Sequence, residues 1–263
     1  MSRILTIASQ KGGVGKTTTA VNLAASLSLA GRKTLLVDFD PQGNASSGVG
    51  FPKSSTSDTR TRSKPVGVLS AAILQQGLQQ FVQPTKFPDL SVLPSSPDFS
   101  SLDLIQEVQD RGLAKFREQL HQVAGDFEYV LMDCPPSLGG LPTIALSVSH
   151  SVLIPIQCEY YAMEGLSQIL PLITKLKNST NSILKIEGLL LTMFSNTLEL
   201  SQEVVGEIGD YFRDTVFQTI IPRDVVLAEA ASHGLPVFEY APLSRGAWSY
   251  LELAKEALSH DWS

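Results

Sequence analysis

A glycine-rich segment near the N-terminus has the residues to bind phosphate. Residues 9–18 read SQKGGVGKTT, which ends in the glycine, lysine and threonine of the pattern G-x-x-x-x-G-K-[ST]. The position of the pattern's first glycine holds Gln10, and the next residue is a second lysine, Lys11. A lysine at the mouth of the loop would point away from Lys16, so its charge would best serve a phosphate that approaches from outside.

The end of the same segment has the groups that hold a nucleoside triphosphate. Backbone N–H groups of residues 12–17 would point at the anion, and the N-terminus of the following helix would add a partial positive charge. Lys16 would reach the β and γ phosphates, and the Thr17 hydroxyl would bind Mg²⁺. A strand before the segment and a helix after it favour this function over a glycine-rich loop that binds nothing.

Three carboxylates follow predicted buried strands. Asp133 lies in the run YVLMDCP at 129–135, where a carboxylate would hold Mg²⁺ directly or through water, although it could instead cap the next helix. Asp38 and Asp40 lie two residues apart at the end of 33–40, so both would point the same way if the strand continued. Asp40 is well placed to orient an attacking water and Asp38 to support the metal's water shell, but the spacing does not decide between the two roles.

Short apolar runs alternate with helical patterns along the chain. The predicted strands are residues 3–8, 33–40, 129–135, 151–157, 186–194 and, shorter, 215–222. The predicted helices are residues 16–30, which Gly31 ends, and segments near 99–123, 138–148, 162–178, 199–212 and 244–259. Apolar strands with little alternation are buried on both faces, which indicates a mostly parallel sheet. We therefore predict a single α/β domain over residues 1–263, with a doubly wound sheet flanked by helices.

The composition is typical of a globular protein with a substantial core. Of the 263 residues 43% are hydrophobic and 17% charged, and the net charge of −6 argues mildly against a broad nucleic-acid-binding surface. Cys134 and Cys158 lack the spacing of metal ligands and indicate buried free thiols. The N-terminus is too short and polar for a signal peptide, and no apolar run could span a bilayer, so we expect a cytoplasmic protein. The polar segment 52–65 is predicted to be a mobile loop.

Several segments together resemble one family of ATPases. They are KGGVGKTT, LLVDFDPQGNAS, MDCPPSLG, IPIQCEYYAMEGL and the C-terminal pieces IIPRD, EAASHGLPV and SRG. In combination they are similar to the ParA/Soj branch of the deviant-Walker-A, or ParA/MinD-type, P-loop ATPases. The resemblance covers nearly the whole chain and is weakest over residues 52–100.

The resemblance implies a role for Lys11. In this family the extra lysine crosses a dimer interface and contacts the ATP phosphates held by the other subunit, so that two chains enclose two nucleotides. Such a charge would stabilise phosphoryl transfer and would make dimerisation depend on the γ phosphate. The alternative, that Lys11 only helps to hold its own nucleotide, stays open.

The resemblance also assigns the other site residues, with ATP and Mg²⁺ as cofactors. Asp40 matches the hydrolytic aspartate and Asp133 the Walker B residue. The expected catalytic residues are therefore Lys11, Lys16 and Asp40. The expected nucleotide-binding residues are Lys11, Gly12, Gly13, Val14, Gly15, Lys16, Thr17, Thr18, Pro222, Arg223 and Asp224, of which the last three would pack against adenine. The expected metal-binding residues are Thr17, Asp38 and Asp133.

The partners implied by the resemblance are a second copy of the chain, a ParB/Spo0J-like protein that stimulates hydrolysis, and DNA bound without sequence preference. Basic residues that Soj-type relatives use for DNA are replaced here by Thr197, Val226, Gly209 and Asp210. Because non-specific binding depends on the number of cations that meet phosphates, we expect weakened DNA binding. The remaining candidates are Arg213, Arg223 and Arg245, with Lys175, Lys177 and Lys185, and the cations of the 52–65 loop could substitute.

Two other functions stay open. One is an adaptor that uses ATP only to gate binding to a protein cargo. The other is a membrane-cycling switch like MinD, which would need a basic amphipathic C-terminal helix. The C-terminal segment has mixed charge, and the spacing of Trp248, Leu251 and Leu258 predicts a core-facing stripe, so we expect no membrane binding. A metabolic ligase or reductase of the same superfamily is disfavoured because nothing marks a small-substrate pocket.

Overall fold

A parallel β-sheet forms the centre of the computed structural model, which describes residues 2–51, 67–74 and 76–259. The strands in chain order are β1 (Arg3–Ile7), β2 (Thr34–Asp38), β3 (Gln83–Pro84), β4 (Leu90–Leu93), β5 (Tyr129–Asp133), β6 (Ser151–Gln157) and β7 (Lys185–Thr192). Across the sheet they are ordered β3-β4-β2-β5-β1-β6-β7, and the pairs are parallel except for β3 with β4. The predicted fold class, an α/β domain with a mostly parallel sheet, is confirmed.

Helices cover both faces of the sheet. They are α1 (Lys16–Leu29), α2 (Asn44–Gly48), α3 (Val68–Leu74), α4 (Leu102–Glu107), α5 (Leu113–Ala124), α6 (Gly140–Val148), α7 (Ala162–Ser179), α8 (Glu199–Phe212), α9 (Val225–Ser232), α10 (Val237–Tyr240) and α11 (Arg245–Ser259). The buried side chains of α1, α2 and α9–α11 form one hydrophobic cluster with alternate strand residues. Those of α3–α8 form a second cluster with the strand residues that face the other way.

The strands are buried on both faces because successive residues supply opposite clusters. In β1, Ile4 belongs to the cluster under α3–α8 and Leu5 to the cluster under α1 and α11. The same alternation places Val130 and Leu131 of β5 on opposite sides. Side chains alternate across a strand, so an unbroken apolar run is what a strand between two helical layers requires.

The predicted strand at 215–222 was wrong. Its apolar pattern comes from Phe217 and Ile221, which are buried in the cluster under α1 and α11. The segment meets the edge of the sheet at two isolated bridges, from Val216 to Leu189 and from Pro222 to Phe194, and through a hydrogen bond from the Ile221 amide to the Leu191 carbonyl oxygen. These contacts do not form a continuous ladder, so the segment is not a regular strand.

Other differences concern the weakly patterned middle of the chain and the last helix. The predicted helix at 99–123 is divided into α4, a π-helical turn at Val108–Gly112 and α5, while β3, β4 and the short helices α2, α3, α9 and α10 were not foreseen. The stripe expected on α11 was also wrong, since Trp248 is 56% exposed. The buried face instead contains Ala247, Tyr250 and Leu253, one position away from that stripe.

Three remaining expectations have mixed outcomes. Cys134 and Cys158 are buried free thiols, as predicted. Among the described residues, no helix combines the length and the apolar character needed to cross a bilayer. The loop predicted at 52–65 lies outside the described residues.

Candidate active site

The phosphate loop connects β1 to α1 at the carboxyl edge of the sheet. Gly13 and Gly15 have φ angles of 75° and 85°, a left-handed conformation that glycine adopts without strain. Gly15 is the N-cap of α1, and no side chain caps this end of the helix. Gly12 and Gly13 are exposed while Val14 is buried. The first N–H groups of α1 are therefore available to an anion, which is where the sequence placed the phosphate.

Lys16 lies beneath this loop. Its side chain is largely buried, and its Nζ donates a hydrogen bond to the carbonyl oxygen of Lys11 at 2.9 Å. Burial lowers the pKa of Lys16, while the charges of Asp133 and Asp40 oppose that shift. An ammonium group is thus held at the loop, close to two carboxylates.

Lys11 does not share the environment of Lys16 and instead lies near Glu159. Its side chain is 32% exposed, and its Nζ lies 3.9 Å from Oε2 of Glu159. The other carboxylate oxygen of Glu159 accepts a hydrogen bond from Arg223 Nη2 at 2.9 Å and one from Gln157 Nε2 at 2.6 Å. Glu159 therefore joins the second lysine to the C-terminal loop at 222–224. Glu159 was not foreseen as a site residue, because only the fold brings it between those two cations.

Thr17 and Asp133 form the candidate metal site. The Thr17 hydroxyl donates to Oδ2 of Asp133 at 2.8 Å, and Asp133 is fully buried. Its Oδ1 is buried without a hydrogen-bond partner among the described residues. Burial raises the pKa of Asp133 well above its usual range, and the charges of Asp38 and Asp40 add to the rise. An orphaned buried acceptor beside a threonine hydroxyl fits a bound cation, which would supply the missing partner.

No cluster of three or more His, Cys, Asp or Glu side chains in the described ranges is arranged to hold a metal ion. A metal at Thr17 and Asp133 would have room for further oxygen ligands, such as phosphate or water. This is the arrangement that Mg²⁺ commonly adopts with a phosphate substrate.

Asp38 and Asp40 lie at the same edge. Asp38 pairs with Asp133 in the register of β2 and β5, whereas Asp40 follows the end of β2. Asp38 is fully buried, and burial raises its pKa although hydrogen bonds from Ser46 oppose that rise. Asp40 is 5% exposed, and its Oδ1 accepts a hydrogen bond from the Gln42 amide at 2.9 Å. The three acids and Lys16 thus converge around the loop, as the sequence indicated.

The loop predicted to meet adenine is held by Phe194, which lies just after β7. Pro222 bridges to Phe194, and the Arg223 amide donates to the Phe194 carbonyl at 2.8 Å. The Asp224 carboxylate caps α9 through the Val226 amide and accepts the Gly246 amide at 3.0 Å. The side chain of Asp224 is therefore used within the fold, where it fixes the end of the loop.

Thr192, the last residue of β7, contacts the phosphate loop. Its buried hydroxyl lies 2.9 Å from the Val14 carbonyl oxygen and 3.1 Å from that of Ile156. A role for Thr192 was not foreseen from the sequence. The available signal was a polar threonine at the end of the apolar run GLLLT.

Comparison with known proteins places the chain in a family. A family model described as an AAA domain matches residues 2–186. The chromosome partitioning protein ParA of Myxococcus xanthus is 44% identical over 99% of this chain and 89% of its own length. The sporulation initiation inhibitor protein Soj of Bacillus subtilis is 42% identical over 99% of this chain and 100% of its own. This chain belongs to the ParA/Soj family of P-loop ATPases.

A solved structure agrees with the fold of this ParA/Soj family member. The crystal structure of cobyrinic acid a,c-diamide synthase from Mycobacterium smegmatis with bound ADP and magnesium matches it with a TM-score of 0.81 and 31% identity. The match covers 99% of this chain and 95% of the other.

The three arginines proposed for DNA lie on separate elements of the ParA/Soj fold. Arg213 follows α8, Arg223 precedes α9, and Arg245 begins α11; all three are exposed. Arg223 is already paired with Glu159. Among the lysine candidates, Lys175 and Lys177 are exposed on α7.

Proposed function

We propose that this chain is a Mg²⁺-dependent ATPase of the ParA/Soj type that acts in chromosome or plasmid partitioning. The observation that carries the proposal is the arrangement at the start of α1, where Lys16, Thr17 and the orphaned Oδ1 of Asp133 surround an uncapped helix N-terminus. The name of the M. xanthus relative at 44% identity, chromosome partitioning protein ParA, supports the cellular process. The ADP and magnesium of the M. smegmatis structure support the ligands.

Each residue of the candidate active site has a separate role in the proposed hydrolysis. The N–H groups of residues 12–17 and the ammonium of Lys16 bind the phosphates. Thr17 and Asp133 would hold Mg²⁺, which would neutralise charge on the phosphate oxygens. Asp40 orients the attacking water. Pro222 and Arg223 flank the base, and Thr18 completes the loop.

Asp38 supports the metal site from a distance in this proposal. Both of its oxygens accept hydrogen bonds from the chain, from Ser46 and from the Asp40 amide. These bonds favour an action through neighbouring groups, including ordered water at the metal, over direct metal ligation.

We infer that ATP closes two copies of the chain on one another through Lys11. The Lys11–Glu159 pair is half-exposed and long, and such surface pairs contribute about 0–1 kcal/mol, so Lys11 can exchange this partner for a phosphate. The surrounding surface supports an interface. Tyr160 and Tyr161 are 75% and 59% exposed, and a cavity of about 310 Å³ lies beside Lys11 and Tyr161.

DNA binding and partner stimulation complete the proposal. The dimer would bind nucleoid DNA weakly and with strong salt dependence, and a ParB/Spo0J-like partner would accelerate hydrolysis and release it. A second candidate is an ATP-gated adaptor for a protein cargo with little DNA binding. It is favoured by the pairing of Arg223 with Glu159, which already engages one of the three arginines proposed for DNA.

Hydrolysis by the parent chain and by Asp40→Ala tests the proposal. The parent should hydrolyse ATP slowly and only with Mg²⁺, and Asp40→Ala should bind ATP and stay as a nucleotide-bound dimer. An Asp40→Ala chain that hydrolyses at the parent rate contradicts the assigned role.

A DNA titration with ADP and with a non-hydrolysable ATP analogue, alongside a measurement of molecular size, separates the two candidate functions. Binding that requires the analogue and weakens with salt supports partitioning. Dimerisation with no DNA binding at low salt supports the adaptor.

A further inference from the structure

The main chain at Asp40 is held from both sides. Its amide donates to Oδ1 of Asp38 at 3.3 Å, and its carbonyl oxygen accepts hydrogen bonds from the Ser95 hydroxyl at 2.7 Å and from the Gly43 amide at 2.9 Å. Asp40 lies beyond the end of β2, where no strand partner fixes it. The Gly43 bond closes a local turn, whereas the Ser95 bond connects this main chain to a distant part of the fold.

The two anchors are themselves connected. The Ser95 amide donates to the hydroxyl oxygen of Ser46 at 3.0 Å, and that hydroxyl donates to Oδ2 of Asp38 at 2.6 Å. The Ser46 amide also donates to Oδ2 of Asp38, at 2.7 Å. Asp38, Ser46, Ser95 and Asp40 thus form a closed ring of hydrogen bonds, called here the serine ring.

The serine ring joins three separate parts of the fold. Asp38 ends β2, Ser46 lies in α2, and Ser95 follows β4. Asp38 and Ser46 are almost completely buried, so their hydrogen bonds are shielded from water. A buried network in which each member is satisfied rigidifies its surroundings.

We propose that Ser95 is a positioning residue for ATP hydrolysis, which acts through the carbonyl of Asp40 and, with Ser46, fixes where the Asp40 carboxylate lies. This inference rests on the proposed function, in which Asp40 orients the attacking water. Orientation of a reacting group is sensitive to small displacements, since a shift of about 1 Å can cost on the order of a hundredfold in rate. Within the described part of the chain, Ser95 hydrogen-bonds to Ser46 and to Asp40 and not to the phosphate loop or Asp133, so it should affect the rate and leave nucleotide binding unchanged.

The test compares Ser95→Ala, Ser95→Thr and the control Ser100→Ala, which changes an exposed serine of the same segment. For each, single-turnover hydrolysis at saturating Mg-ATP is measured together with the affinity for a non-hydrolysable ATP analogue and the melting temperature. Loss of one hydrogen bond predicts that Ser95→Ala slows hydrolysis about three- to tenfold at unchanged analogue affinity. Ser95→Thr, which keeps the hydroxyl, should recover the parent rate, and Ser100→Ala should match the parent.

A second measurement asks whether the ring acts as a unit. Ser46→Ala should also slow hydrolysis, and the double variant with Ser95→Ala should be no slower than the slower single variant, because both break the same ring. Independent, multiplying effects would overturn the proposal.

Three other results would also overturn it. The first is a Ser95→Ala chain that hydrolyses ATP at the parent rate. The second is a Ser95→Ala chain that loses analogue affinity and hydrolysis rate together and melts at a lower temperature. The third is a Ser95→Thr chain that hydrolyses ATP as slowly as Ser95→Ala. A parent chain that shows no turnover refutes the proposed function itself, whereas a parent that turns over beside an unaffected Ser95→Ala refutes this inference alone.

Discussion

Replacing Asp133 by asparagine should change stability and nucleotide binding in opposite directions. Asp133 is fully buried, its pKa is raised well above the usual range by burial, and Asp38 and Asp40 lie near it. In the nucleotide-free chain, an ionised carboxylate at this place is costly because it is buried close to two other acids. Asparagine keeps the volume and an oxygen that can accept the Thr17 hydroxyl, but it carries no charge.

The size of the effect follows from these contacts. Relief of a poorly compensated buried carboxylate is worth about 1–2 kcal/mol, which for a chain of this length raises the melting temperature by roughly 2–6 °C. With Mg²⁺ and an ATP analogue, the parent is expected to become more stable than Asp133→Asn. A ligand at about 100 times its Kd stabilises the parent by about 2.7 kcal/mol, and Asp133→Asn should lose most of the Mg²⁺-dependent part of that gain.

Thermal unfolding with and without Mg²⁺ and the analogue measures both effects. Asp126→Asn, at an exposed position, is the matched control and should resemble the parent in all conditions. The reasoning is refuted if Asp133→Asn melts below the parent without nucleotide, or if it keeps the full Mg²⁺-dependent shift.

Three further predictions concern other parts of the chain. Lys16→Ala should abolish ATP binding in calorimetry, because the buried ammonium at the loop is lost, and normal affinity would contradict the loop assignment. Gly188→Ala should lower stability by about 1–3 kcal/mol in denaturant unfolding, since its Cβ would lie 2.5 Å from the buried Phe217 ring; an unchanged midpoint would show that the ring moves freely. Burial lowers the pKa of His150, whose Nδ1 accepts the Ile4 amide, so its stabilising contribution should be complete above about pH 6.5 and decline as the pH falls below it. The stability difference between pH 7.5 and pH 5 should therefore shrink in His150→Asn, and an equal difference would argue against this role.

The phosphate loop was predictable because its chemistry is local. Glycines at left-handed positions, a lysine and a threonine all lie within a few residues of one strand end. The approach of Asp133 to Thr17 was also predictable, since parallel strands bring their carboxyl ends to one edge of the sheet. Family resemblance then added a role for Lys11 that spacing alone could not give.

Contacts between distant segments that carry no recognisable motif were not predictable. Glu159 joins Lys11 to Arg223, and Ser95 reaches Asp40 across 55 positions of sequence. A single serine or glutamate leaves no local pattern, so only the packed fold shows such contacts. The strand predicted at 215–222 was wrong for a related reason. A segment that is buried against helices has the same apolar composition as a strand that is buried in a sheet, so composition alone cannot distinguish them.

The extra lysine at the mouth of the phosphate loop tests the account most directly. Lys11→Met keeps the aliphatic stem and removes the charge, and Lys86→Met, at an exposed position far along the chain, is the control. Molecular size is measured in solution at saturating ADP and at a saturating non-hydrolysable ATP analogue. The account predicts that the parent and Lys86→Met dimerise only with the analogue, while Lys11→Met binds it and remains a monomer. A Lys11→Met chain that dimerises as the parent does would contradict the central claim.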